Sequence, residues 1–428
     1  MAEDFGKPVP PPRMRATPLG AALAFTFMNS VGAGVTFNGI FFITKYVFGY
    51  GLGWNSALGV LLGVTYIIGA LTTGPAIRWL GQRFTIASPR ALLLGLILIC
   101  AGINALPVAT WFLTPQQGRA GTQWAWWVFI GSYSLLCGGL WSIVASYVSG
   151  GREPAKLPGA IGRYNITWSL ALVVSMGVVS AVPTALSGLG IESVDGNVLT
   201  LAVVAGIHLA STVLLLWFGT FPGEHPHTQH RSPPEYARLL TLHRGTMPVV
   251  YTIGYALNPF LPEMTRAAGF PLSWGPIVGG TWLASRVATF AIMNRWHGWL
   301  GSRLTATGGA WACILGFAMC VACTLLPAGL TAQVIAVVGL VVFGIGIATV
   351  YVGALYYAME VGAAAVDEGG KHEALIGLGY TAGPLCGLGA VGLWSAGVIG
   401  VGVVNPVMLG LVALTAGAGM AWQAAKKH

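Results

Sequence analysis

Charge is what this chain has least of. Of its 428 residues only 8% are Asp, Glu, Lys or Arg, against 55% hydrophobic, and the mean hydropathy is +0.74. A soluble domain is roughly a quarter charged, so a single water-soluble body of this length is excluded. Acidic residues are the scarcer sign, 12 against 21 basic ones. The six cysteines, Cys100, Cys137, Cys313, Cys320, Cys323 and Cys386, all fall inside apolar runs. Cys320 and Cys323 form a CxxC without a second pair. Neither a disulfide framework nor a metal site follows, and the thiols read as small core residues. Also missing are GxxxxGK[ST], HExxH and GxSxG motifs. Their absence argues against nucleotide-driven transport and against the hydrolytic chemistries those motifs serve. No cofactor is implied. The 62 glycines show no Gly-X-Y period, which removes collagen; within apolar runs, small residues let helices approach closely.

What remains is long apolar runs. They cover approximately residues 18–47, 54–77, 90–113, 124–149, 159–183, 198–221, 246–269, 273–294, 303–327, 331–358, 372–397 and 401–424. Each is near the length of about 20 residues that crosses a bilayer as a helix. Period-two alternation is missing, so a barrel is not expected. The expectation is an all-α polytopic membrane protein of about twelve transmembrane helices.

The basic residues choose its orientation. Lys7, Arg13, Arg15, Arg78, Arg83, Arg90, Arg152, Lys156, Arg163, Arg231, Arg238, Arg244, Arg295, Arg303, Lys371, Lys426 and Lys427 fall in alternate gaps; the other gaps hold little beyond Lys45, Arg119 and Arg266. By the positive-inside rule both termini are cytoplasmic. The net charge of +9 is then a topology signal and does not point to nucleic acid. The expected partners are a small solute and the lipid bilayer of the plasma (bacterial inner) membrane, with the chain acting as a monomer. Residues 1–17 form a polar, Pro-rich, disordered cytoplasmic lead, and the first apolar run exceeds a signal peptide's core. The polar stretch Phe221–Gly245 divides the rest into 18–221 and 246–428, with 222–245 as a cytoplasmic linker. Its His225, His227 and His230 include no Cys beside them and read as residues of a Pro-broken polar linker rather than as metal ligands.

The two parts repeat each other. "AIRWLGQRFTIAS" (Ala76–Ser88) follows the second run, and "MNRWHGWLGSRLTATG" (Met293–Gly308) follows the eighth. A second echo pairs "ASYVSGG" and "GAIGRYNITWSLAL" with "LYYAMEVG" and "EALIGLGYTAGPL". Two six-helix halves in parallel repeat suggest alternating access, with a solute held near the midplane between them.

This layout resembles the major facilitator superfamily, whose loop after the second helix reads Gly-x-x-x-Asp-Arg-x-Gly-Arg-Arg. Here Gly74, Gly81 and Arg83 match, whereas Arg78 and Trp79 replace the Asp and the following Arg. The resemblance implies two pseudo-symmetric six-helix bundles. It also implies a conformational latch formed by Gly74, Gly81 and Arg83, with Arg295, Gly301 and Arg303 in the second copy. Helices 1, 4, 7 and 10 line the cavity in that family, which raises Asn29, Asn38, Tyr255 and Asn258. Helix 11 carries Gly379-x-x-x-Gly383-Pro384-x-x-Gly387, which reads as a packing face with a kink.

Ionisable groups inside spans are costly and therefore informative. Arg286, well inside helix 8, needs an anion, a carbonyl or a wet cavity. His208 in helix 6 and Glu263 in helix 7 are possible proton-coupling groups, and Glu263 with Arg266 could gate the outer end. Glu360, Lys371, His372 and Glu373 read as an inner charge network. Trp282 and Tyr351 join the substrate candidates; Tyr133, Trp141, Asn165, Trp168, Tyr251, Tyr356, Tyr357 and Tyr380 are further neutral candidates. Helices 1 to 6 carry no carboxylate, which disfavours proton-driven cation extrusion. The expected function is a secondary active or facilitative transporter, not an enzyme, moving a small polar solute, sugar-like or an organic anion. The alternative is a non-transporting membrane sensor or scaffold. The orientation is checked by a single Cys at Gln229 in intact cells: it should stay unlabelled by an impermeant thiol reagent, and ready labelling would invert the topology.

Overall fold

A computed structural model describes residues 17–83, 88–153, 156–223, 233–362 and 366–425. They form twelve long helices: α1 (Leu19–Phe48), α2 (Leu52–Arg83), α3 (Pro89–Leu113), α4 (Gln123–Ser149), α5 (Leu157–Gly188), α6 (Ser193–Trp217, its last turns 3-10), α7 (Pro234–Ala267), α8 (Thr281–Arg295), α9 (Leu304–Ala322), α10 (Leu330–Gly362), α11 (Val366–Ser395) and α12 (Val404–Ala425). The short helix Gly275–Gly279 leads into α8. No strand occurs among the described residues. Ten of the twelve are long and apolar enough to cross a membrane. The exceptions are α7, whose first turns are polar, and α8, which is 15 residues long and holds two arginines. The chain is an integral membrane protein by this composition. Its outer face agrees: α3 exposes Leu94, Leu98 and Ile99, while Trp54, Trp124 and Trp274 stand exposed at one end of the bundle and Trp79, Trp217 and Trp296 at the other. Such aromatic girdles mark the two interfaces of a bilayer.

The second of those ends is also where the described chain begins. Arg152 donates to the Thr17 carbonyl at 3.2 Å, and the Gly219 amide to its hydroxyl at 3.1 Å. It is called the near end below, and the opposite one the far end.

Three boundaries differ from the sequence pattern. Helix α7 starts at Pro234, so the linker expected over 222–245 is helical from there on. Leu239, Leu240 and His243 recur at helical spacing and are buried, and Tyr236 packs on Tyr357 at 5.1 Å between ring centroids. Tertiary burial thus turns a polar stretch into helix. Helix α2 runs through Gly81 to Arg83 without a turn. Helix α11 starts at Val366, which puts Glu373 two turns inside it rather than at its entrance. His225, His227 and His230 lie outside the described residues, as do residues 1–16.

The first six helices meet the last six along two seams, α2 against α11 and α5 against α8. The first seam is built from glycine. A Cβ on Gly63 would stand 2.5 Å from the Thr381 backbone nitrogen, one on Gly377 2.5 Å from Ile67, and one on Gly387 2.5 Å from Ser56 Oγ. Backbones therefore meet almost directly, the geometry small residues permit between membrane helices. In the same helix, Gly379 and Gly383 pack on Tyr251, Thr252 and Ala256 of α7, so the Gly-Pro motif is a packing face. The six cysteines are all free and buried. Gly63→Ala should lower the melting temperature of the purified protein, because its methyl meets backbone; overpacking of this kind costs about 1–3 kcal/mol. Gly95→Ala, with nothing within 4 Å of its Cβ, should melt like the parent, and equal melting of the two variants would refute the tight seam.

Candidate functional site

Between the halves lies a cavity of about 80 Å³, well below the roughly 300–1,000 Å³ of a typical small-molecule site. Helices α1, α2, α4, α5, α7, α8, α10 and α11 all contribute to it. Two local irregularities shape its far side. In α1 the helix widens into a π turn over Val35–Gly39, which carries Asn38. In α7, Pro259 and Pro262 interrupt the ladder just after Asn258. The Asn258 amide donates to Asn38 Oδ1 at 2.9 Å, so the two irregular segments meet across the halves. Beyond them Lys45 of α1 is paired with Glu263 of α7, Tyr46 donates to the Leu272 carbonyl, and Ser180 of α5 donates to the Ser273 carbonyl at 2.5 Å. The far end is thus held shut by polar links between halves.

Arg286 dominates the cavity wall. It is 3% exposed. Its guanidinium carbon lies 4.6 Å from the Trp168 ring centroid and 4.9 Å from that of Trp282. Its Nε donates to Ser169 Oγ of α5 at 2.9 Å, crossing the second seam. Cation–π contact with desolvated rings is worth about 2 kcal/mol or more, and a guanidinium is well suited to such stacking. Those contacts leave polar capacity unused: Arg286 Nη2 and Trp282 Nε1 are buried without a hydrogen-bond partner. Both residues line the cavity. Buried donors are normally satisfied, so these two call for an acceptor between the halves.

The opposite pole is Glu373 of α11, which accepts from the Tyr66 hydroxyl of α2 at 2.5 Å across the glycine seam. Among the described residues no Lys, Arg or His nitrogen lies within 4.0 Å of its carboxylate. Tyrosines fill the space between the poles: Tyr255 stacks on Tyr380 at 3.5 Å between centroids, and Tyr251 lies 5.9 Å from Tyr380.

Of the residues expected from sequence, Asn38, Tyr255, Trp282, Arg286 and Tyr351 line this cavity together. Asn258 stands behind Asn38, and Glu263 beyond it in the far-end ion pair. Asn29 and His208 do not reach the cavity. His208 Nδ1 faces Asn29 Oδ1 at 2.8 Å and its Nε2 faces the Tyr133 hydroxyl at 2.9 Å. The Asn29 amide donates to the Phe25 carbonyl and to Ser211. Since the amide nitrogen is so engaged, Asn29 Oδ1 accepts from His208 Nδ1. That is a closed network within the first six helices.

In the second copy of the repeated loop, Gly301 has φ +77°, a conformation that favours glycine, and its amide donates to the Tyr357 hydroxyl at 3.0 Å. Arg295 ends α8 and Arg303 precedes α9. In the first copy Gly74 and Gly81 are helical and Arg83 ends α2 exposed. Tight turns thus exist in only one of the two copies, among the described residues. Against the expectation that helices 1 to 6 carry no carboxylate, Asp195 lies in the first turn of α6, where it pairs with Arg119 at 3.1 Å.

Sequence reasoning missed Tyr66, Tyr164 and Glu373 as cavity residues. Glu373 sits behind Lys371 and His372 and so reads as surface charge. Tyr66 and Tyr164 carry no signal apart from being aromatic within apolar runs.

No family model matches the sequence, and no curated protein matches it. Solved structures do. A point mutant of the nucleoside transporter NupG aligns with a TM-score of 0.65 at 14% identity, covering 94% of this chain and 99% of that one. A bacterial homolog of the human lysosomal transporter Spinster, crystallised in an inward-facing and occupied conformation, aligns with a TM-score of 0.62 at 16% identity, covering 95% and 96%. At these identities the likeness is one of fold, and it is the twelve-helix arrangement that the resemblance to the major facilitator superfamily implies.

His208→Ala would take the Tyr133 hydroxyl's imidazole partner away in the core. Losing the partner of a buried polar group costs about 1–3 kcal/mol, so the melting temperature should drop by several degrees. An unchanged melting curve would show that the network is not structural.

Proposed function

We propose that the chain is a secondary transporter that moves a small polar solute, a sugar-like molecule or an organic anion, by alternating access. The observation that carries this reading is the pair of buried, unpartnered donors, Arg286 Nη2 and Trp282 Nε1, on the wall of a cavity between two repeated halves. An acceptor-rich group supplies what they lack, and the indole and phenol faces suit an apolar or ring-shaped remainder. With cytoplasmic termini, the far end closed by Lys45–Glu263 and Asn38–Asn258 is the outer mouth. Transport then requires that these links break as the near end closes, and the loop Arg295–Gly301–Arg303, with Arg83 as its counterpart, acts as the near-end latch. We take the monomer as the transporting unit. The fold shared with two transporters supports movement of a solute over a sensor or scaffold role. The nucleoside in the name of one neighbour fits the same chemistry, a flat ring with hydroxyl acceptors.

Flux into proteoliposomes tests the reading with a panel of sugars, nucleosides and carboxylates. Uptake of at least one class is expected, and binding without flux would favour the sensor. Arg286→Ala should weaken apparent affinity by about 1.5–3 kcal/mol, roughly 10- to 150-fold. Arg286→Lys should recover only part of it, because it keeps charge but loses the planar fork. Parental affinity and flux in folded Arg286→Ala would remove Arg286 from the site.

A further inference from the structure

A carboxylate inside a membrane protein needs a cation, a proton or water. Glu373 has none of these as a fixed protein partner: its hydrogen bond comes from a phenol, Tyr66, across the glycine seam. The cavity thus carries one guanidinium and one carboxyl, on different helices and not paired with each other. An anionic solute group answers Arg286 and leaves the charge on Glu373 uncompensated. Two fillings restore balance, an anion together with a proton on Glu373, or a zwitterion whose ammonium faces Glu373. Space favours the first. An ammonium needs room beside the carboxyl, and about 80 Å³ crossed by the Tyr255–Tyr380 stack gives little; a proton needs none.

We infer that Glu373 is the proton-carrying group of this protein: it is protonated while the cavity is closed to both sides and released from its proton when the halves part. The solute half of this statement rests on the transport reading above; the proton half stands on the carboxyl and its surroundings. The groups that face Glu373 in the cavity are Tyr66 from α2, Tyr164 from α5, Tyr251 and Tyr255 from α7, Arg286 from α8 and Tyr351 from α10. Phenols and guanidinium keep their charge state across the neutral range. The neighbouring side chain whose ordinary range lies there is His372, buried against Tyr351 at 5.4 Å between ring centroids, with neither ring nitrogen hydrogen-bonded; the His372→Gln variant below separates its contribution. Because Tyr66 and Glu373 belong to different halves, parting the halves exchanges the phenol for water beside the carboxyl, and water solvates the ionised form that the closed cavity disfavours.

The experiment uses the full chain in lipid vesicles without any solute. Infrared difference spectra between about pH 5 and about pH 9 should show a protonated-carboxyl band that vanishes at high pH. The band should be absent from Glu373→Gln, retained but shifted in Glu373→Asp, and unchanged in His372→Gln. In parallel, spin labels at Leu113 and Leu330, exposed at the far ends of α3 and α10, report the opening of that end. The ratio of populations should change with pH by up to about tenfold per unit in the parent, as for one linked proton. In Glu373→Gln it should change less than about twofold over the whole range. A carboxyl that stays ionised at every pH overturns the inference and leaves Glu373 as a partner for a solute ammonium; a titrating band with distances indifferent to pH overturns it as well, since the proton is then not linked to the cycle. Failure of the solute panel leaves both readouts intact, so the two readings fail separately.

Discussion

A guanidinium that cannot shed its charge, held between two indole rings and out of reach of bulk water, sets the terms for the rest of this molecule. Arg286 is answered from both halves at once, by Trp282 on its own helix and by Trp168 and Ser169 on α5. That arrangement explains why α5 and α8 must run side by side. Any rearrangement that parts α5 from α8 changes the surroundings of that charge, so conformation and cavity electrostatics are one variable.

The far end is built on a matching idea. The π turn in α1 and the prolines of α7 loosen two helices at positions that face each other, and Asn38 and Asn258 take up the slack with a hydrogen bond. Each helix alone would be weakened by its irregularity. Together they form a narrow polar crossing between the cavity and an ion pair.

Much of this was written in the order of residues. The apolar runs located all twelve helices, because hydrocarbon demands long uncharged segments whatever their tertiary partners. Arg286 stood out for the same reason, as a cost inside such a segment. The repeated loops marked the two halves. What the pattern could not supply was depth. Glu373 follows a lysine and a histidine and looks like surface charge until α11 is seen to begin at Val366. Asn29 and Asn38 look alike on one helix, yet the first belongs to the His208 network and the second to the cavity. Which face of α1 meets which neighbour depends on packing by Gly32 and Gly34 against His208 and Ser175, and hydropathy carries no record of that. The first turns of α7 were hidden because their apolar stripe is narrow and shared with charge.

The two seams between the halves differ in material. Along α5 and α8 the contact is made by side chains that can exchange partners. Along α2 and α11 glycines let the helices close in, Gly63 onto the Thr381 backbone and Gly377 and Gly387 onto the side chains of Ile67 and Ser56. Surfaces of the second kind fit so closely that a tilt opening them at one end is easier than lifting the helices apart along their whole length. The molecule is therefore mechanically lopsided: one edge behaves as a bearing and the other as a clasp.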